Sequence, residues 1–353
     1  MRILILGGTS FIGPAVVRTL ASGNHDIAVF HRGQTEADLP PNVVHIHCED
    51  APPTRSGWKI QSLPKFLQEF KKFAPDVVLD MVPFSEHDIQ TVVDTFRHIA
   101  HRIVAISSCD VYRAFGRVRR TEPGLPDHAP LTEDAPLREK FYPYRSETLR
   151  SPEDPMRWMD DYDKILVERI VMNDPDLPGT VLRLPMVYGP RDTQHRLFEY
   201  LKRMDDNRPA ILLDESIARW HWTRGYVENV ATAIAHATTD ERAVNRIYNV
   251  GEAETLSIAE WVRAIGDAAG WYGEIITVAK DRLPSHLVMD IDTNQELLID
   301  TARIRKELGY SEAIDLEEAL KRTVAWERAN PLGEVDAKKF DYAAEDAVLA
   351  ELK

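Results

Sequence analysis

The chain has 353 residues, 44% of them hydrophobic and 28% charged, with 57 acidic against 43 basic side chains and a formal charge of −14. That length suits one large α/β unit or two unequal lobes, and the composition excludes wholesale disorder. Two cysteines, Cys48 and Cys109, exclude a disulfide scaffold, no apolar run approaches the roughly 18 residues of a membrane span, and the acidic balance disfavours general nucleic-acid binding.

Residues 2–6 (RILIL) form a continuous apolar run that predicts a strand buried on both faces. Glycines follow, and Ile12, Val16, Val17 and Leu20 carry helical spacing. Residues 26–31 (DIAVFH) and 43–47 (VVHIH) read as the second and third strands. A helix over 63–73 leads to a strand at 76–82, and a helix over 86–98 to a strand at 102–107. Strands alternating with helices predict an α/β fold with a doubly wound parallel sheet.

Residues 113–160 are rich in proline and charge and have no clean period, which predicts a long excursion over a site. A helix over 161–173 and a strand at 180–185 follow, then the turn YGPRD, a helix near 195–203 and a short strand at 210–213. The remaining expectations are a helix over 225–238, a strand at 246–250, and helices over 257–269, 301–308 and 316–328. Residues 330–353 are polar and end in a weak helix.

The segment Gly7-Gly8-Thr9-Ser10-Phe11-Ile12-Gly13 lies between a strand and a helix. Glycine lets the backbone approach a pyrophosphate, and the helix N-terminus offers N–H donors, so the turn predicts a dinucleotide site. Ser10 stands where a middle glycine is usual. The second strand ends Phe30-His31-Arg32-Gly33 without an acidic residue to take ribose hydroxyls. Arg32 suits a 2′-phosphate instead, so NADP is favoured over NAD. Asp50, after the third strand, is a candidate acceptor for the adenine amino group, and Met81, ending the fourth, is a further candidate cofactor contact.

With these motifs the sequence resembles the extended short-chain dehydrogenase/reductases, the nucleotide-sugar epimerase/dehydratase group. The matching pieces are GGTSFIG (7–13), SSCDVY (107–112), TED (132–134), YDKILVE (162–168), RLPMVYGPRD (183–192), RGYVENVATAI (224–234) and YNVGEAETLSIAEW (248–261). Its GGTSFIG start is nearer an atypical branch that includes the chloroplast stem-loop-binding proteins, with an RNA-related role. The resemblance implies a Rossmann domain over 1–180 with segments near 225–250 returning to it. It also implies a smaller α/β C-terminal substrate lobe over 181–330 and an arm over 331–353. A homodimer built on the helices at 86–98 and 161–173 is implied too. So is transient hydride transfer on a nucleotide-linked sugar or related polyhydroxy compound.

The resemblance further implies a catalytic Ser/Tyr/Lys group. Ser108 maps onto the substrate-orienting serine, and Lys164 onto the lysine that holds the nicotinamide ribose. Here the pattern breaks. Asp160, not tyrosine, stands four residues before Lys164, and Tyr162 stands only two before it. Two helical residues turn about 200°, so Tyr162 and Lys164 face apart if both are helical. Four readings stay open: a late helix start that swings Tyr162 in, Asp160 as base, proton transfer from Tyr142 or Tyr144, or no redox chemistry. The last corresponds to a rival class, a non-catalytic NAD(P) sensor or RNA-binding protein.

Arg191, after the Gly-Pro turn, and Arg219 or Arg224 are candidate contacts to a substrate diphosphate; His221, between Trp220 and Trp222, is a candidate sugar or base contact. Met186 stands where the family often has asparagine, and Asp110 where a small residue is usual. His45 and His47 share a strand face near Cys48 and Glu49, but no second cluster has ligand spacing, so no metal is expected. Cys109, without a motif-placed histidine, is expected to be a buried small residue. The start MRILILGG lacks the features of a signal peptide, and the cytoplasm is the expected location. Arg113, Arg117, Arg119 and Arg120 form the one basic patch.

Overall fold

The computed structural model describes residues 1–48 and 57–352. Eleven strands occur in it: β1 (Arg2–Leu6), β2 (Asp26–His31), β3 (Val44–His47), β4 (Val77–Asp80), β5 (Arg102–Ser108), β6 (Gly179–Leu184), β7 (Met186–Tyr188), β8 (Ala210–Asp214), β9 (Arg224–Tyr226), β10 (Arg246–Asn249) and β11 (Glu274–Val278). Seven form one sheet in the order β10-β6-β5-β4-β1-β2-β3, parallel throughout. Two further parallel pairs, β11-β8 and β7-β9, lie outside that sheet.

The sheet reverses its winding between β1 and β4, and the crevice beyond the carboxyl ends of such strands is where open α/β sheets bind ligands. The side-chain period of two divides the sheet into two cores. Ile3, Ile5, Ile27, Val29 and Leu79 pack under helices Ile12–Ser22 and Val227–Thr239. Leu4, Leu6, Ala28, Phe30 and Val78 pack under helices Glu86–Phe96 and Lys164–Asn173. This is the doubly wound Rossmann architecture expected from the alternating pattern, and β10 joins its sheet from late in the chain.

Three boundaries differ from expectation. The helix expected over 63–73 opens at Trp58 and is interrupted by a tight turn at Leu63–Phe66, where Pro64 cannot donate an N–H. The excursion contains a short helix, Arg113–Val118, and a turn of 3-10 helix at Arg157–Asp160. The helix expected from 161 starts at Lys164.

The arm is anchored rather than loose. Its helix, Tyr342–Glu351, buries the Glu345 carboxylate against Arg203 (2.8 Å) and His286 (3.0 Å). Leu332, Val335, Lys339 and Phe340 then wall a cavity together with Trp220, Arg224 and Trp261.

Candidate active site

The glycine turn crosses the carboxyl end of β1. Gly7 and Gly8 have φ of 91° and 94°, in the left-handed half of backbone space that glycine enters without steric cost. A Cβ on Gly13 would lie 2.4 Å from Gly8 Cα, so only glycine lets the helix close on the turn. Helix Ile12–Ser22 has no side-chain N-cap and no acidic residue in its first turn. Within its first turn the Gly13 N–H is held by Ser10 O (3.0 Å) and Pro14 has none, so what this end offers an anion is chiefly its positive dipole and the close approach of the glycine backbone.

That helix end opens on a cavity of about 350 Å³. Gly7, Ser10, Phe11, Ile12 and Gly13 line it, with Met81 at the end of β4. Arg32 lines its far end, with its guanidinium carbon 5.9 Å from the centre of the Trp58 ring, which also lines the cavity. Asp50 lies outside the described residues. The cavity, the uncapped helix and the glycine approach together fit a dinucleotide.

Ser108 ends β5 and accepts a hydrogen bond from the Asp110 backbone N–H (3.2 Å). Asp163 is the N-cap of helix Lys164–Asn173: its backbone is extended (φ −157°, ψ 111°), and its Oδ1 accepts from Ile165 N (2.9 Å). Tyr162 therefore precedes the helix, and the 200° argument does not apply to it. Its phenol reaches back to the end of β5, on the Ser108 side, and donates to Asp110 Oδ2 (2.9 Å). Lys164 Nζ lies 5.7 Å from the centre of the Tyr162 ring. Ser108, Tyr162 and Lys164 thus meet despite the broken spacing.

Two features depart from the arrangement the resemblance implies. Lys164 Nζ donates to Pro83 O (2.8 Å) and Ile106 O (2.9 Å), so two of its three donors are held by backbone. Burial brings its pKa down to about 8. The phenol of Tyr162 is pushed well above its usual pKa, by burial first and then by the Asp110 carboxylate. Tyr144 donates to the same Asp110 oxygen (2.9 Å), while Asp110 Oδ1 is buried with no hydrogen-bond partner. The sequence marked Asp110 only as a departure; that it would take two phenols depended on how the excursion folds back.

Asp160 does not face this group. Arg150 and Arg157 pair with its buried carboxylate. Burial alone would raise its pKa, but the Arg150 N–H and guanidinium hold it below the usual range. Tyr142 sits apart as well, its ring covered by the Arg145 guanidinium at 3.7 Å. Cys109 is fully buried, which pushes its thiol up and leaves no nucleophile there.

A second cavity, of about 480 Å³, meets the first at Gln194, which lines both. Arg224, Trp220, Trp222 and Met186 line it. Arg224 is 4% exposed and its guanidinium lies 4.3 Å over the Trp261 ring. Its Nε has no hydrogen-bond partner, and burial lowers its pKa to about 10. Arg219 and His221 are not part of this wall. Arg219 is exposed at the end of helix Glu215–Arg219, and His221 is tied to Glu296 through its backbone N–H (2.7 Å). Arg191 adopts φ of 70° two residues before Thr193, which lines the first cavity.

The basic patch is consumed within the chain. Arg113 pairs with Asp127, Arg120 with Asp290 (2.6 Å), Arg119 lies over Tyr144 (4.8 Å), and Arg117 donates to Glu122 O (3.3 Å).

The family model described as "NAD dependent epimerase/dehydratase family" matches residues 3–251. A dTDP-glucose 4,6-dehydratase of Streptomyces griseus is 26% identical over 344 residues, covering 92% of this chain and 93% of that protein. Among solved structures, the UDP-glucose 4-epimerase of Thermotoga maritima with UDP-glucose superposes with a TM-score of 0.64 at 18% identity, covering 93% of this chain and 99% of that one. The dTDP-glucose 4,6-dehydratase of Bacillus anthracis in complex with NAD gives 0.64 at 18%, covering 94% and 97%. At such identity these structures speak to the fold.

Proposed function

The chain belongs to the NAD-dependent epimerase/dehydratase family, and from that premise we propose that it oxidises and re-reduces a nucleotide-linked sugar by transient hydride transfer. The observation that carries this reading is that Tyr162 and Lys164 gather at the end of β5 behind a dinucleotide-sized cavity, which they reach through Ile106, whose carbonyl Lys164 holds, and Phe84, both of which line it. The relatives named above act on dTDP-glucose and UDP-glucose, which makes a nucleoside-diphosphate sugar the substrate class.

When bound, the nicotinamide supplies the group that takes and returns the hydride. Gly7 and Gly13 let the backbone approach the pyrophosphate closely, and the positive end of helix Ile12–Ser22 attracts it. Arg32 at the adenosine end selects the 2′-phosphate, so NADP is preferred. Lys164 offers its remaining N–H to the nicotinamide ribose. In the second cavity, the partnerless Nε of Arg224 takes the substrate diphosphate.

Ser108 orients the reacting hydroxyl. Tyr162 is protonated at neutral pH, so it acts as a relay: it accepts the hydroxyl proton at Oη while passing its own to Asp110 Oδ2. The carboxylate ends protonated, and the sequence reverses when the hydride returns. Tyr144 and Trp158 cover Tyr162, with ring centres 5.2 and 6.0 Å away. Substrate entry therefore requires the excursion to move aside.

Helices Glu86–Phe96 and Lys164–Asn173 lie side by side on one sheet face, which supports a homodimer through them. Among the described residues no helix is long and apolar enough to cross a membrane. Both cysteines are free and buried, consistent with a cytoplasmic location.

The test is to incubate the full chain with NADP or NAD and with UDP-glucose or dTDP-glucose, following the sugar by NMR. Conversion that requires dinucleotide and disappears in Tyr162→Phe is expected. Dinucleotide binding without conversion of any nucleotide sugar would favour the sensor reading.

A further inference from the structure

β3 is the last strand of the sheet, paired on one side only. Its register against β2 sets His47 opposite His31. His45, two residues earlier, shares the face of His47, and His31 shares the face of Ile27 and Val29. The core on that face includes Ile27 and Val29 of β2 but no residue of β3 itself. That edge of the face is therefore left to three imidazoles, His31 of β2 and His45 and His47 of β3, which crowd one spot with the carboxylate of Glu36 from the loop after β2.

We propose that His31, Glu36, His45 and His47 bind a borderline divalent cation of the zinc class. One ligand atom from each of the four lies within 4.8 Å of the others. His31 Nε2 stands 3.1 Å from His45 Nδ1, and the His31 and His47 ring centres are 4.4 Å apart. Nitrogens bound tetrahedrally to zinc at about 2.0–2.1 Å stand about 3.3 Å from one another. Three imidazoles and one carboxylate are a donor set that zinc accepts, and hard cations such as Mg²⁺ do not favour it. Among the described residues this is the one group of three or more such side chains close enough to share an ion.

Two ring nitrogens now share a proton between His31 and His45. On binding, the cation takes that place, and the one proton of the neutral His31 ring moves to Nδ1. The contact displaced is the long one from the Gly33 backbone N–H to Nδ1 (3.3 Å). A second shell is thus not fixed in advance, and the site gains its rigidity with the ion.

The position gives the site a consequence. His31, Arg32, Gln34 and Thr35 all line the dinucleotide cavity. An ion on His31 and Glu36 closes the loop between them and fixes the residues at the adenosine end of that cavity. The site is assigned by its own geometry and does not depend on the chemistry proposed above.

The experiment uses the untagged full chain, stripped with chelator and dialysed against Zn²⁺ and then Co²⁺. Expected are about one Zn²⁺ per chain by elemental analysis and visible absorption of tetrahedral Co²⁺. Glu36 and His47 are exposed and His45 is half-buried on an edge strand, so His45→Asn/His47→Asn leaves the core intact. That variant should bind Zn²⁺ at least a hundredfold more weakly while its metal-free Tm stays within a few degrees of the parent's. Glu36→Gln should weaken binding about tenfold. Failure of the parent to retain Zn²⁺, or equal retention by the double variant, overturns the proposal.

Discussion

Tyr162 donates its phenol proton to Asp110 Oδ2 at 2.9 Å, across the gap between the helix that follows Tyr162 and the end of β5. A carboxylate in that position holds the proton on the tyrosine, whereas a cation would draw it off. On the proposed relay, Tyr162 and Asp110 act as one proton-handling pair. Asp110→Asn removes the charge, and the phenol should then titrate at lower pH, seen as tyrosinate in ultraviolet difference spectra. Turnover should fall by about 10²–10⁴, the usual worth of a positioned proton acceptor. Unchanged turnover in Asp110→Asn would end the relay account.

Arg32 is argued to choose the cofactor. Arg32→Asp should weaken NADPH binding at least tenfold and leave NADH binding equal or tighter, measured by cofactor fluorescence. An unchanged preference would mean that the 2′-phosphate lies elsewhere.

Arg224 is buried beside Trp261, with its Nε unpaired. A charge-assisted hydrogen bond is worth about 1.5–3 kcal/mol. Arg224→Met should therefore weaken UDP or dTDP binding by about 10- to 150-fold in calorimetry. Dinucleotide affinity should not change. Loss of both affinities would point to a collapsed lobe instead.

Lys164 has a pKa of about 8 in the fold, against about 10.4 in an unfolded chain. Between those values the unfolded state carries more protons, so stability rises with pH over that window. Below pH 8 both states are charged and the burial cost is present in full. Urea denaturation from pH 7 to 10 should show the rise in the parent and a flatter profile in Lys164→Met. Parallel profiles would mean that Lys164 is not the group titrating.

Lys59 and Asp80 form an ion pair at 2.6 Å with both side chains fully buried. Lys59→Met leaves the buried Asp80 carboxyl without its counter-ion, with the Val82 N–H (3.0 Å) as its remaining hydrogen bond among the described residues, which costs about 3–5 kcal/mol. Lys59→Met/Asp80→Leu should recover most of that loss in thermal melts.

The parallel sheet was legible in the sequence because its strands are buried on both faces and read as plain apolar runs, RILIL and DIAVFH among them. The strands β7 (MVY), β9 (RGY) and β11 (EIITV) were not, because the first two, at three residues, carry too little pattern to separate from a loop and the third is partly exposed. The glycine turn was legible for a steric reason that survives in the structure at Gly13. The meeting of Tyr162 with Ser108 hung on one cap: Asp163 ends the extended segment and lets the helix begin a residue later, and its hydrogen bonds come from Tyr142, 21 positions away, as well as from Ile165. Of the histidine cluster only His45 and His47 were legible, and no metal was expected of that pair, because His31 and Glu36 join them only through the β2–β3 register. Arg219 and Arg224 looked alike in sequence; burial separates them, since one ends a surface helix and the other faces a cavity.

The central claim is that the glycine turn holds a dinucleotide next to Tyr162. Its most direct test is a fluorescence titration of the full chain with NADPH and with NADH. Saturable binding at one site per chain, tighter for NADPH, with Trp58 fluorescence quenched and lost from the Trp58→Phe difference signal, is the predicted result. A folded protein that gives no saturable signal with either dinucleotide would contradict it.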